Sequence, residues 1–196
     1  MRSRRKLMLV IVLAGAALAL AACGSSGDGD SGDSAGAVST TADAAPPAKE
    51  KGVPKALAAN RAEAGQILDE GSLDAKIAEL KGHPIVVNQW ASWCEPCRAE
   101  FPYFGDSANQ HAGEVAFVGI DMQDDRGAAE DFLQQLPVPY PHVDDPSASQ
   151  IASLGGGVVS PTTVFIDAQG EVVSVFQGAY ASRDQLEQDI ERYLLN

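Results

Sequence analysis

Cysteine and histidine are scarce in this chain: 196 residues hold three of each. Three cysteines exclude a multi-disulfide scaffold. The histidines, His83, His111 and His142, are scattered, with none of the close pairing that marks a zinc site. Basic residues are also few. Four of the 14 Lys and Arg are Arg2, Arg4, Arg5 and Lys6, so from Cys23 onward ten bases face 27 acids, a balance of −17. Such an acidic chain has no electrostatic footprint for polyanions, and nucleic acid is excluded as a partner. A glycine-rich phosphate loop and a dinucleotide fingerprint are missing too, and no cofactor is expected.

The basic cluster instead heads an export signal. Residues 7–22 are apolar save for Gly15, and no acid precedes Asp28. A basic start followed by an apolar run is the pattern of a signal peptide, somewhat short of the roughly 20 residues a permanent span needs. The ending Leu20-Ala21-Ala22-Cys23 resembles a bacterial lipobox, which makes 1–22 the signal and Cys23 the lipid attachment point. An uncleaved signal anchor and a secreted protein with a stray cysteine are the other readings. All three place the folded part outside the cytoplasm. The Arg4-Arg5 pair leaves the Sec and twin-arginine routes both open. From Gly24 to Ala48 the residues are Gly, Ser, Asp, Ala, Thr and Pro with Val38 as the one larger apolar side chain, too little to build a core. Residues 23–53 are therefore expected to be a tether, whose 25-residue low-complexity part would span about 25–30 Å as a flexible coil. The folded domain is expected over 54–196.

Within that domain the periodicity predicts a helix from about Lys55 to Ile67. A second starts at an N-cap, Ser72, carries Leu73, Ile77 and Leu80 on one face, and stops at Gly82. Ile85 to Trp90 and Val115 to Ile120 are near-continuous apolar runs, as strands of a parallel sheet covered on both faces require. The stretch between them, Glu95 to about His111, reads as a helix kinked at Pro102. Two more helices are expected after Asp121. One carries Ala129, Phe132, Leu133 and Leu136; the other opens with Asp145 as N-cap and Pro146 in its first position and closes at Gly155. Asp124-Asp125 and Asp144-Asp145 read as helix caps rather than metal ligands. A hairpin over 162–166 and 172–176 turns at Gly170, and a last helix begins with a Ser182/Gln185 capping box. This order implies an α/β sandwich with a mixed sheet.

Cys94 and Cys97 lie two residues apart where a strand gives way to a helix. A helix N-terminus stabilises a thiolate and lowers its pKa below the usual 8.5 or so. Cys94, in the first turn, is the expected nucleophile, and Cys97 the resolving thiol that breaks a mixed disulfide. Pro96 would stiffen the loop between them and Trp93 would shield one side. Half of a zinc knuckle and an inert structural disulfide remain as alternatives at this point.

Asn88-Gln89-Trp90-Ala91-Ser92-Trp93-Cys94-Glu95-Pro96-Cys97-Arg98-Ala99-Glu100-Phe101-Pro102 resembles the active-site segment of the TlpA/ResA-like branch of thioredoxin-fold thiol-disulfide oxidoreductases. Ser160-Pro161-Thr162-Thr163 is similar to the place where that superfamily sets a cis-proline beside the dithiol; a trans proline opening an edge strand is the plainer reading. The likeness covers about Leu68 to Leu195. It implies a three-layer αβα thioredoxin-like fold with a TlpA-type insertion, for which the 41 residues from Asp121 to Pro161 leave room for an added helix. Gly155-Gly156-Gly157-Val158-Val159 departs from the family's more usual single Gly-Val before the proline.

Where cytoplasmic thioredoxins carry a buried aspartate, this chain has Asn88, which cannot take up a proton. Glu100, three residues after Cys97 and so on the same helical face, is expected to be partly buried, with a raised pKa, and to serve as the base. The plainer reading is an exposed helix glutamate. The resemblance further implies a reductase that exchanges disulfides with exported protein thiols, apocytochrome c among them, recharged by a membrane thiol-transfer protein and held by lipid on the outer face of the bacterial cell membrane. A disulfide-forming oxidase of the same fold and a lipoprotein binding module with an inert disulfide are the alternatives.

Overall fold

The computed structural model describes residues 52–196; the signal, the lipobox with Cys23 and most of the tether lie outside the described residues. Six strands, β1 (Ile67–Leu68), β2 (Ile85–Trp90), β3 (Ala116–Met122), β4 (His142–Asp145), β5 (Thr162–Ile166) and β6 (Val172–Gln177), form one sheet in the order β1-β4-β3-β2-β5-β6. The β1, β4, β3 and β2 neighbours run parallel, whereas β5 is antiparallel to both β2 and β6. The sheet is therefore mixed.

Side chains alternate across a strand, and β2 divides accordingly. Val86 and Trp90 join a core with Phe101 of α3 (Glu95–Gln110), Phe132 of α4 (Arg126–Gln135) and Leu186 of α6 (Arg183–Ile190). Ile85 and Val87 join another with Leu57 of α1 (Lys55–Ala62), Leu73 of α2 (Leu73–Glu79) and Ile151 of α5 (Ser149–Ser153). Three helices cover each face, giving the three-layer α/β arrangement of a thioredoxin-like fold. Burying a large apolar side chain contributes roughly 1.5–3 kcal/mol, so the sheet's two buried faces are what hold the layers in register.

Several expectations need correction. The first helix ends at Ala62 rather than Ile67, and Ile67 begins the edge strand β1. The Ser72 hydroxyl makes no cap bond; the Leu73 N–H donates instead to Gln150 Oε1 at 3.2 Å. Asp145 is no N-cap and Pro146 no helical residue: Asp145 closes β4, and α5 starts three residues after Pro146. Asp145 still ties the two elements, its carboxylate accepting from the Gln150 N–H at 3.2 Å and the Ile151 N–H at 3.0 Å. The segment between Asp121 and Pro161 thus holds a strand as well as helices. β4 is four residues long and carries two aspartates and a histidine, which hid it from any search for apolar alternation. The helix α3 runs on through Pro102. Ser182 Oγ caps α6 by accepting from the Gln185 N–H at 3.3 Å, while Gln185 Oε1 reaches back to the Ala181 N–H.

Candidate functional site

β2 ends at Trp90, and the turn Ala91-Ser92-Trp93 delivers Cys94 to the N-cap of α3. The Cys94 N–H donates to the Ala91 carbonyl at 3.1 Å. Cys94 and Cys97 form a disulfide with Cα atoms 5.3 Å apart, and the Cys97 N–H donates to Cys94 Sγ at 3.3 Å. That bond is the useful one for chemistry: an amide at the helix start, aimed at the first sulfur, stabilises negative charge there. Cys97 is fully buried and Cys94 nearly so. Beside them Glu95 and Pro96 are exposed, and Trp93 is 59% exposed with its indole N–H donating to the Gln123 carbonyl at 3.2 Å.

Glu100 follows Cys97 by one helical turn and is 1% exposed. Its Oε2 accepts from the Tyr180 N–H at 2.7 Å, while Oε1 is buried without a partner. Burial raises its pKa to about 7, against the lowering effect of the Tyr180 bond. A carboxyl with that pKa exchanges protons near neutrality.

The start of β5 lies against the end of β2, with Gln89 opposite Thr162. Pro161, next in line, is buried, and the Ser160–Pro161 bond is cis. Ser160 Oγ accepts from Gln89 Nε2 at 2.9 Å. The strand register therefore brings the Ser160-Pro161 loop to the sheet end that carries the dithiol. Just ahead of it Val158 and Val159 are exposed. Asn88 faces Thr163 across β2 and β5, and both amide atoms of Asn88 and the Thr163 hydroxyl are buried without partners.

The three histidines lie elsewhere. His111 Nε2 bonds Glu187 Oε2 at 2.7 Å, and His142 Nδ1 accepts from Trp90 Nε1 at 3.0 Å. The His142 ring fills the space over Gly119, where a Cβ would lie 1.9 Å from Nδ1, and burial depresses its pKa to about 3. Cys23 lies outside the described residues.

Beside the dithiol turn, half of the Asp124-Asp125 cap expectation fails. Asp124 is not a cap of α4; Asp125 fills that role, its Oδ1 accepting from the Ala128 N–H at 3.0 Å. Asp124 instead holds Ser92, accepting from its backbone N–H and, at 2.8 Å, from its hydroxyl. Asp121, an acid at the end of an otherwise apolar strand, is 1% exposed. Its position inside the run Val118 to Met122 was the available signal.

The Redoxin family model matches residues 42–191. The chain is 30% identical over 115 residues to the thiol-disulfide oxidoreductase ResA of Oceanobacillus iheyensis, covering 57% of this chain and 58% of that protein. It is 36% identical over 102 residues to the thiol:disulfide interchange protein DsbE of Pseudomonas fluorescens, covering 52% and 55%. Among solved structures, MTB dsbF superposes with a TM-score of 0.53 at 33% identity, covering 58% of this chain and 83% of that one. The chain spans less than two thirds of the length of the curated relatives named here.

Proposed function

We propose, from the premise that this chain belongs to the Redoxin family, that it is an extracytoplasmic thiol-disulfide oxidoreductase acting through Cys94 and Cys97. The observation that carries this reading is the Cys97 N–H aimed at Cys94 Sγ from the first turn of α3, beside a buried carboxyl poised near neutrality.

In the reductive direction the Cys94 thiolate attacks one sulfur of a client disulfide, forming a mixed disulfide and releasing the client's other sulfur as a thiolate. Glu100 takes the proton of the Cys97 thiol. The Cys97 thiolate then attacks Cys94 Sγ, closes the intramolecular disulfide and frees the second client sulfur, which leaves protonated with Glu100 as the donor. Two electrons pass to the client and the protein ends oxidised. Trp93, Pro96, Ser160 and Pro161 frame the place where an extended client segment lies. The exposed Val158 and Val159 give it an apolar edge.

The direction we assign is reduction of disulfides in exported proteins, apocytochrome c among them, with recharging by a membrane thiol-transfer protein. Cys23 would carry the lipid that holds the domain at the outer face of the cell membrane. Among the described residues no helix is long and apolar enough to cross a membrane. Insulin reduction by the purified protein with dithiothreitol tests the activity: wild type accelerates precipitation of the B chain, and Cys94→Ser does not. A rate equal to the uncatalysed one in wild type overturns the reading.

A further inference from the structure

Gln89 lies near the end of β2 and is fully buried. By strand alternation it shares the sheet face of Ile85 and Val87, away from the helix that carries the dithiol. Its Nε2 donates to Ser160 Oγ at 2.9 Å and also to Met122 Sδ on β3. A thioether accepts and does not donate, so the nitrogen of the amide, not its oxygen, faces this corner. Gln89 Oε1 is left buried without a partner. An unmet buried acceptor is destabilising, and an apolar side chain of similar shape would avoid that penalty. Packing alone gives no reason for an amide here, whereas the bond to Ser160 does.

A serine hydroxyl has one proton to donate and lone pairs to accept with. Because Gln89 is the donor, the Ser160 proton turns away from Gln89, and among the described residues it meets no acceptor. Ser160 is itself partly exposed. The residues on either side of it are pinned: Thr162 Oγ1 donates to the Val159 carbonyl at 2.6 Å, and the Gly178 N–H donates to the Pro161 carbonyl at 2.9 Å. A fixed loop thus carries one oriented, unused donor beside the dithiol.

We propose that Gln89 is a positioning residue for client binding, orienting the Ser160 hydroxyl so that it donates to a backbone carbonyl of an extended protein client. The proposal rests on reading Cys94 and Cys97 as an exchanging dithiol. Since Gln89 lies on the face of the sheet away from α3, it acts on the affinity for the client and not on the sulfurs. A small dithiol, which lays no peptide along the loop, makes no use of it.

The test compares initial rates of insulin reduction over a range of insulin concentrations, at saturating dithiothreitol, with the rate at which dithiothreitol alone opens the Cys94–Cys97 disulfide. Gln89→Met removes both the donor and the unpartnered acceptor at similar volume. It should raise the KM for insulin about tenfold, the worth of roughly one hydrogen bond, and leave kcat and the dithiothreitol rate unchanged. Its Tm should be no lower than that of wild type. Ser160→Ala should raise KM to the same extent, and adding Gln89→Met to it should raise KM no further, as expected of two residues acting through one bond. Gln89→Leu gives the same result and stands in if the methionine variant does not fold. A KM equal to wild type, a further rise in the double variant, or a joint fall in kcat and the dithiothreitol rate overturns the proposal. Wild type that reduces insulin no faster than dithiothreitol alone would instead sink the oxidoreductase reading, and the proposal with it.

Discussion

Glu100 and Tyr180, 80 positions apart in sequence, meet through one hydrogen bond: the Tyr180 N–H donates to Glu100 Oε2 at 2.7 Å, inside the core. The bond ties the segment before α6 to the helix that carries the dithiol, and burial keeps the carboxyl's pKa at about 7, up from 4.5.

That shift has a stability consequence of definite sign. Between pH 4.5 and 7 the folded chain binds more protons at this site than the unfolded chain, so unfolding free energy falls as pH rises. At 1.36 kcal/mol per pKa unit the loss is about 3 kcal/mol, complete above pH 7. Glu100→Gln, which keeps an acceptor for Tyr180, should be as stable as wild type at pH 4 and more stable at pH 8. Urea denaturation at the two values checks it. In turnover the same variant should lose the pH limb centred at about 7 and fall by roughly 100-fold where the base is needed. An unchanged pH profile would remove Glu100 from the mechanism.

Cys97→Ser should accumulate mixed disulfides on Cys94, because the resolving attack is gone. Non-reducing electrophoresis of cell-envelope extracts, with Cys94→Ser as the control, reads this directly. No trapped species in the Cys97→Ser protein would count against exchange through Cys94.

Gly119→Ala should be severe for a surface-silent change. The added methyl would meet His142 Nδ1 at 1.9 Å, displacing the ring from Trp90 and leaving the indole N–H unpaired in the core. Overpacking of about 1–3 kcal/mol and an unmet buried donor of about 1–3 kcal/mol act together. Thermal unfolding measures the loss, and a Tm equal to wild type would contradict the packing described here.

Asp145→Ala should loosen α5, since the Gln150 and Ile151 amides lose their acceptor. An unsatisfied donor costs about 1–3 kcal/mol when buried. Amide hydrogen exchange should show faster exchange at Gln150 and Ile151 but not in β2 or β3.

The parts of the fold legible in the sequence are those where burial writes itself into the residue pattern. Ile85 to Trp90 and Thr162 to Ile166 are covered on both faces, and their apolar runs mark them. β1 and β4 lie side by side at one end of the sheet; β1 is two residues long, and β4 is identified by its pairing rather than by its composition. Asp145 looked like a cap because Asp-Pro is a common helix opening; here it accepts helix amides from the end of a strand. In the site, Cys94, Cys97 and Glu100 follow from spacing along one helix. The Tyr180 bond to Glu100 and the Asp124 bonds to Ser92 join residues 80 and 32 positions apart, and no local pattern announces them.

Equilibrium of the Cys94–Cys97 disulfide with glutathione and dithiothreitol buffers, read by thiol alkylation, tests the central claim most directly. The account predicts a reversible two-electron transition above about −300 mV, within the range of exchanging dithiols, with catalysis of insulin reduction by the same protein. A potential well below that value, with no exchange activity, would make the disulfide a structural staple and contradict the account.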